Sequence, residues 1–280
     1  MQPWTLEIKP QTSLFAVDFK EIWRYRDLWA MMVRRDIVTL YKQTVLGPIW
    51  FFIQPIMTTV MYMVVFGGIA KIPTDGVPQP LFYLAGICLW QYFADCLGKT
   101  SNTFVANAGV FGKVYFPRLV VPLANVTSGL LKLAIQFTLF MIVYLYFMFT
   151  GAAVHPNAYA ALLPLLIILL AALSLGFGII FSSMTTKYRD LSFLLGFFVQ
   201  LWMYATPVIY PISTITNPKL KLVMQLNPLT GVLEAFKYGV LGAGEFSWGM
   251  LGYSAGFAAM LLAVGIVIFN RVQRSFIDTV

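Results

Sequence analysis

The sequence predicts an all-α polytopic membrane protein with six transmembrane helices, an N-terminal amphipathic interface helix and short re-entrant helices on the outer side. Three observations lead there. Hydrophobic residues make up 59% of the 280 positions and charged residues only 11%, against about 25% charged in a soluble domain. Too few charged groups remain to cover a water-facing surface. Six apolar runs approach or exceed the roughly 20 residues a helix needs to cross a bilayer. Lys and Arg are distributed unevenly between alternate connecting segments, as orientation in a membrane demands.

The chain divides into a cytoplasmic N-terminal segment (1–44), a transmembrane domain (45–270) and a cytoplasmic tail (271–280). Met1–Thr44 is polar, aromatic and basic, unlike a cleavable signal peptide. Within it, Asp18 and Glu21 have capping-box spacing, with Val17 and Ile22 as a hydrophobic staple. Ile22, Trp29, Val33, Ile37 and Leu40 then form an apolar stripe interleaved with Arg24, Arg26, Arg34, Arg35 and Lys42. That pattern suits a helix lying in the lipid interface; the alternative is a helix packed on another protein domain.

The expected spans are Val45–Ala70, Leu81–Leu97 (continuing through Thr103), Leu119–Phe149, Tyr159–Met184, Leu191–Tyr210 and Met250–Asn270. None shows strand alternation, so helices are the spanning form. The third run of 31 residues would measure about 46 Å as helix and must tilt or project from the core. The outer loop within 211–248 contains two apolar stretches, Leu220–Leu226 and Leu229–Leu241, split by Asn227-Pro228. Proline disfavours helix at the residue before it, so two short re-entrant helices are expected there.

With the N-terminus inside, 14 Lys and Arg fall on the cytoplasmic side and four outside, which places both termini in the cytoplasm. The net charge of +8 is then explained by topology and lipid contact, with no nucleic acid. Cys88 and Cys96 share one apolar run, as small core residues rather than a disulfide or metal framework. The lone His155 reads as a solvated turn residue. Gly98-Lys99-Thr100 ends like a phosphate-binding loop, but Phe93 stands where the first glycine is required. The Asn125-Val126-Thr127 glycosylation triplet sits inside a span and is fortuitous. Ser174, Gly178 and Ser182, and again Gly252 and Gly256, recur at four-residue spacing, which lets helices approach closely within a subunit or across a dimer. Charge within a membrane is costly, so Lys132 and Asp95 stand out. Lys132 has three readings: snorkelling to headgroups, pairing with Asp95, or binding an anionic substrate.

The segment Asn107–Pro122 places Val114, Tyr115 and Phe116 beside Lys113 and Arg118, with Pro117 between. A cytoplasmic hairpin has no internal need for that cluster, so it suggests docking; the plainer reading is that these residues start the next span. Here the sequence resembles the permeases of polysaccharide-exporting ABC transporters. Tyr41–Trp50 with Gln54-Pro55 looks like their first-span signature, and Lys113–Arg118 like their coupling loop. Tyr188-Arg189-Asp190, Thr206–Pro211 and Leu226-Asn227-Pro228 follow in the same order. The resemblance runs from Leu28 to near the end of the chain.

What it implies is a homodimer of this chain joined to two copies of a separate ATP-binding subunit. ATP and Mg would be bound there, leaving no cofactor on this chain. The cargo would be a lipid-linked polysaccharide such as O-antigen, exported across the bacterial inner membrane, with the re-entrant region 211–248 in the periplasm. Hairpin 107–118 would couple to the ATPase, with Tyr115 and Phe116 as buried anchors and Arg118 at the rim. Aromatics make up 16% of the chain, and their faces suit sugar rings. Tyr62, Phe66, Phe198, Trp202 and Tyr204 lie well inside spans and are candidate channel residues, with ordinary packing as the alternative. The rivals are a drug- or lipid-exporting permease, a membrane enzyme acting on polyprenyl-linked sugars, and an ion-driven transporter. Sparse carboxylates weaken the enzyme, and the lack of a clear internal repeat weakens the ion-driven transporter.

Overall fold

The computed structural model describes residues 18–42, 49–152, 154–188 and 190–275. Among these the regular structure is helical, with no strand. Helices α1 (Phe19–Arg24) and α2 (Arg26–Lys42) precede α3 (Trp50–Tyr62), which runs into a π-helix at Met63–Ile69. Next come α4 (Gln79–Ser101), the single turns α5 (Thr103–Ala106) and α6 (Ala108–Phe111), and α7 (Val120–Phe149). Then follow α8 (Leu163–Lys187), α9 (Leu191–Tyr204), α10 (Pro218–Gln225), α11 (Pro228–Leu241) and α12 (Trp248–Ser275).

Among the described residues, five helical stretches are long and apolar enough to cross a membrane: Trp50–Ile69, Gln79–Ser101, Val120–Phe149, Ala158–Lys187 and Trp248–Gln273. Four match expected runs closely, and the second extends past Leu97 as foreseen. The remaining expected run, Leu191–Tyr210, is helical only to Tyr204. At 14 residues α9 measures about 21 Å, less than a full hydrocarbon core. Pro207 lacks the N–H needed to continue the helix, and the chain turns at Ala205–Tyr210 instead.

Helix α4 occupies the centre, packed between α3, α7, α8 and α11. Small residues set the closest approaches. A Cβ on Gly178 would stand 2.5 Å from Thr100, and one on Gly176 would meet Leu261 at 2.9 Å. The absent side chains therefore let α8 touch both α4 and α12. Ser174 and Ser182 are fully buried on the same helix, so this small-residue row serves packing within the subunit. Gly252 and Gly256 face open space instead. Cys88 and Cys96 are free and buried in the core, as expected.

A second cluster gathers at the opposite end from α11. Ile22 and Met32 of the N-terminal helices join Phe104, Phe111, Phe116 and Phe269. The Asp18 carboxylate caps α1 by accepting from the Glu21 N–H at 2.9 Å. The apolar stripe differs from the expectation of a lipid-facing surface: Trp29 and Val33 pack against this cluster, so the stripe covers the chain's own body. Among the described side chains, the large apolar residues these helices leave exposed are Phe19, Trp23 and Met31. Val17 and the side chain of Leu40 lie outside the described residues.

Between α9 and α12 the two expected short helices form, each opened by an Asn-Pro pair. Asn217 accepts from the Lys219 N–H at 3.0 Å and Asn227 from the Leu229 N–H at 3.1 Å. Each proline occupies the first helical turn, where an N–H would have no partner. All of α11 except Tyr238 is buried.

Candidate functional site

The hairpin presents part of its expected docking cluster and withholds the rest. Val114 is 59% exposed and Tyr115 50% exposed, with Lys113 beside them. Phe116 is 5% exposed, its ring 5.6 Å from that of Phe111. It is an anchor of the chain's own cluster, contrary to its expected place in a partner's groove. Arg118 is likewise buried rather than on a rim. Its guanidinium lies 5.4 Å from the Phe111 ring centroid and donates to the Gln273 carbonyl at 3.0 Å. It fastens the hairpin to the end of α12. Pro117 is half-buried, and its carbonyl accepts from the Val120 N–H at 3.0 Å, beginning α7.

Tyr115 is tied to the N-terminal helices. Its hydroxyl donates to Glu21 Oε1 at 3.4 Å, and the Tyr25 hydroxyl donates to its carbonyl at 3.5 Å. Partial burial, and then the neighbouring Glu21 carboxylate, push the Tyr115 phenol above its usual range. It therefore stays protonated and keeps donating to Glu21. The tip of the hairpin is thus an exposed patch, Lys113–Tyr115, on a base braced by α1, α2 and α12.

The five candidate channel aromatics do not converge on one lumen within the subunit. Trp202 belongs to the core, with the rings of Phe177 at 5.0 Å and Phe93 at 5.3 Å. Tyr62 and Phe66 are half-buried, 5.4 Å apart edge to face, and the Tyr62 hydroxyl reaches Met203 Sδ at 3.3 Å. Phe198 and Tyr204 are 50% and 48% exposed. They extend the outward face of α9, which also carries Phe193, Leu194 and Phe197. Tyr62, Phe66 and Trp202 thus pack half-buried against the core, whereas Phe198 and Tyr204 lie on the outward face of α9.

Lys132 pairs with Asp95, one of the three readings of the sequence. Asp95 also accepts from Gln91 Nε2 at 2.8 Å. Gly98-Lys99-Thr100 lies in the last turns of α4, in helical rather than loop geometry. No cluster of metal-binding side chains occurs among the described residues. Arg189 and residues 43–48, which carry part of the motif resemblance, lie outside the described residues.

One group went unnoticed in the sequence. Lys237, one of the four basic residues that the charge distribution assigns to the outer side, is 1% exposed, and Glu234 is fully buried. The Lys237 ammonium donates to the Pro207 carbonyl at 2.5 Å, lies 3.9 Å from the Phe82 ring centroid and stands 3.9 Å from Glu234 Oε1. Asn227 Nδ2 donates to the Ala205 carbonyl at 2.9 Å and to Thr206 Oγ1 at 2.8 Å. The end of α9, left without partners by the Thr206-Pro207 break, is therefore gripped by two side chains reaching from α11. The available sign was an acid and a base three residues apart in an otherwise apolar stretch.

Comparison with known proteins agrees with this architecture. The sequence model of the ABC-2 type transporter family matches residues 27–241. An O-antigen export system permease protein, RfbA, of Klebsiella pneumoniae is 27% identical over 256 residues, covering 90% of this chain and 94% of that protein. Its namesake in Myxococcus xanthus is 25% identical, over 78% of this chain and 82% of its own length. The polysialic acid transport protein KpsM of Escherichia coli is 23% identical, over 88% of this chain and 93% of its own.

Proposed function

Since the chain belongs to the ABC-2 type transporter family, we propose that it is the membrane subunit of a polysaccharide exporter in the bacterial inner membrane. The observation that carries this reading is similarity to O-antigen export permeases along almost the full length of both chains. The cargo is a lipid-linked polysaccharide, most simply O-antigen. Energy comes from two copies of a separate ATP-binding subunit, and two copies of this chain form the path. Both termini and the hairpin face the cytoplasm, in keeping with 14 basic residues on that side against four.

The surfaces support this division of labour. Lys113–Tyr115 is a compact exposed patch on a rigid base, suited to receive force from a partner. The outward faces of α3 and α9 are apolar and aromatic. Paired across a dimer, they would offer smooth aromatic walls to a sugar chain. The export reading is tested by deleting the gene in a strain that displays its polysaccharide. Loss of surface polymer with accumulation of complete lipid-linked polymer inside supports it. Loss of the polymer altogether would indicate a synthetic enzyme instead.

A further inference from the structure

We propose that the cavity between α3, α4 and α7 binds a lipid headgroup carrying a phosphate with a hydroxyl beside it. The cavity measures about 170 Å³, room for several waters. That is the scale of a headgroup fragment and too small for an oligosaccharide. Its wall includes Lys99, Lys132, Asp95, Ser128, Gln136 and Phe51.

Its depth suits a headgroup. Ser128 Oγ donates to Asp36 Oδ2 of α2 at 3.5 Å, so α2 runs alongside α7 at this level. Lys132 lies one helical turn further on, about 6 Å along the axis. The site therefore opens near the level of the basic helix α2, with Phe51 at the start of α3 and Lys99 at the end of α4 in its wall.

Its charges suit a phosphate. An ammonium has three donors, and only one of those on Lys132 is taken by Asp95. Lys99 is exposed at the same wall. Both nearby carboxylates are already engaged: Asp95 by Lys132 and by Gln91 at 2.8 Å, and Asp36 by Arg35 at 2.9 Å. What remains to attract a ligand is positive.

The hydroxyl is indicated by Gln136. This side chain is 1% exposed, and its Oε1 is buried without a hydrogen-bond partner. A buried acceptor in that state is costly and calls for a donor. A phosphodiester has none at neutral pH, whereas a glycerol or sugar hydroxyl next to it does. Phosphatidylglycerol and a prenyl-phosphate-linked sugar share this chemistry.

The test uses the full-length protein in neutral detergent. Dioctanoyl phosphatidylglycerol, dioctanoyl phosphatidylcholine and a short-chain prenyl-phosphate sugar are titrated, with bound lipid read by native mass spectrometry. We expect one or both hydroxyl-bearing lipids to bind at least about tenfold more tightly than phosphatidylcholine, a difference of about 1.4 kcal/mol. Which of them binds identifies the source. Lys132→Gln and Gln136→Met should each weaken binding several-fold. Asp95→Asn, which releases Lys132 from its partner, should strengthen it, an effect that a purely structural ion pair would not produce. Equal binding of all three lipids, or affinities unmoved by Gln136→Met and Asp95→Asn, would overturn the proposal. Because the assay reads binding without transport, its outcome is independent of the export reading.

Discussion

Helices α11 and α3 invert the usual relation between length and burial. Helix α11 has 14 residues, too few to span a membrane, yet all but Tyr238 are enclosed by protein. The stretch Trp50–Ile69 is long enough to span, yet only Phe51, Pro55 and Thr59 in it are buried. Ile56, Met57, Val60, Met61 and Val64 all face outward. The difference lies in what each helix carries. Helix α11 brings Glu234 and Lys237, which are tolerable away from water only when partnered, so the surrounding chain closes on it. Helix α3 carries an apolar surface that costs nothing against lipid. Its exposed face is free to meet lipid or a second copy.

The comparison can be broken most forcefully at Lys237. Replacing it with Ala strands Glu234 in the interior, and breaking a buried pair in this way costs about 3–5 kcal/mol. Thermal unfolding in detergent should show a large drop in midpoint. The double change Lys237→Met with Glu234→Gln should recover much of it. A single variant as stable as the parent would mean that α11 owes its place to apolar packing alone.

The hairpin repeats the contrast in miniature. Phe116→Ala removes a buried ring, which costs about 3–5 kcal/mol, and should lower the melting midpoint in the absence of any partner. Val114→Ala with Tyr115→Ala should leave the midpoint nearly unchanged and reduce co-purification of the ATP-binding subunit. If the double variant retains the partner fully, the exposed tip is not the coupling contact.

Asn227→Ala should have an intermediate effect. It removes the cap of α11, worth about 1–2 kcal/mol, together with the two bonds holding the end of α9. Hydrogen exchange should quicken at Ala205–Val208 while α3 is unaffected. The smallest effect is expected on α3 itself. Met57→Ala with Met61→Ala should shift subunit stability by no more than about 0.5 kcal/mol, as for other surface sites. If α3 meets its own copy, however, Met61→Cys should form a disulfide-linked dimer under mild oxidation. A chain that stays monomeric under those conditions would assign this face to lipid.

Much of the architecture was legible because lipid imposes a coarse code. Leu119–Phe149 was expected and Val120–Phe149 is observed; Met250–Asn270 was expected within Trp248–Ser275. A spanning helix must be long and apolar, and that survives in a single sequence. The Asn-Pro pairs were equally readable, since a cap and a proline act locally. What stayed hidden was the identity of neighbours. Periodicity shows that Trp29 and Val33 share a face, but not that Phe104 and Phe269 would cover it. Phe116 and Tyr115 are adjacent aromatics, and only the turn before α7 decides that one points inward. Trp202 and Phe198 lie four residues apart on one helix with their rings 5.4 Å apart, yet Trp202 reaches inward to Phe93 and Phe177 while Phe198 is half exposed. Lys237 was misplaced for the same reason: a loop charge and a buried charge look alike until its partners are in place.

The two free cysteines have a practical consequence for mapping the molecule. Cys88 and Cys96 are sealed in the core, each 1% exposed, and enclosed thiols of this kind are inert toward reagents in solution. A membrane-impermeant maleimide applied to intact cells should therefore pass over the natural chain. The protein serves as its own unlabelled background. One new thiol at Pro218 should be tagged from outside, and one at Lys113 only after the cells are opened.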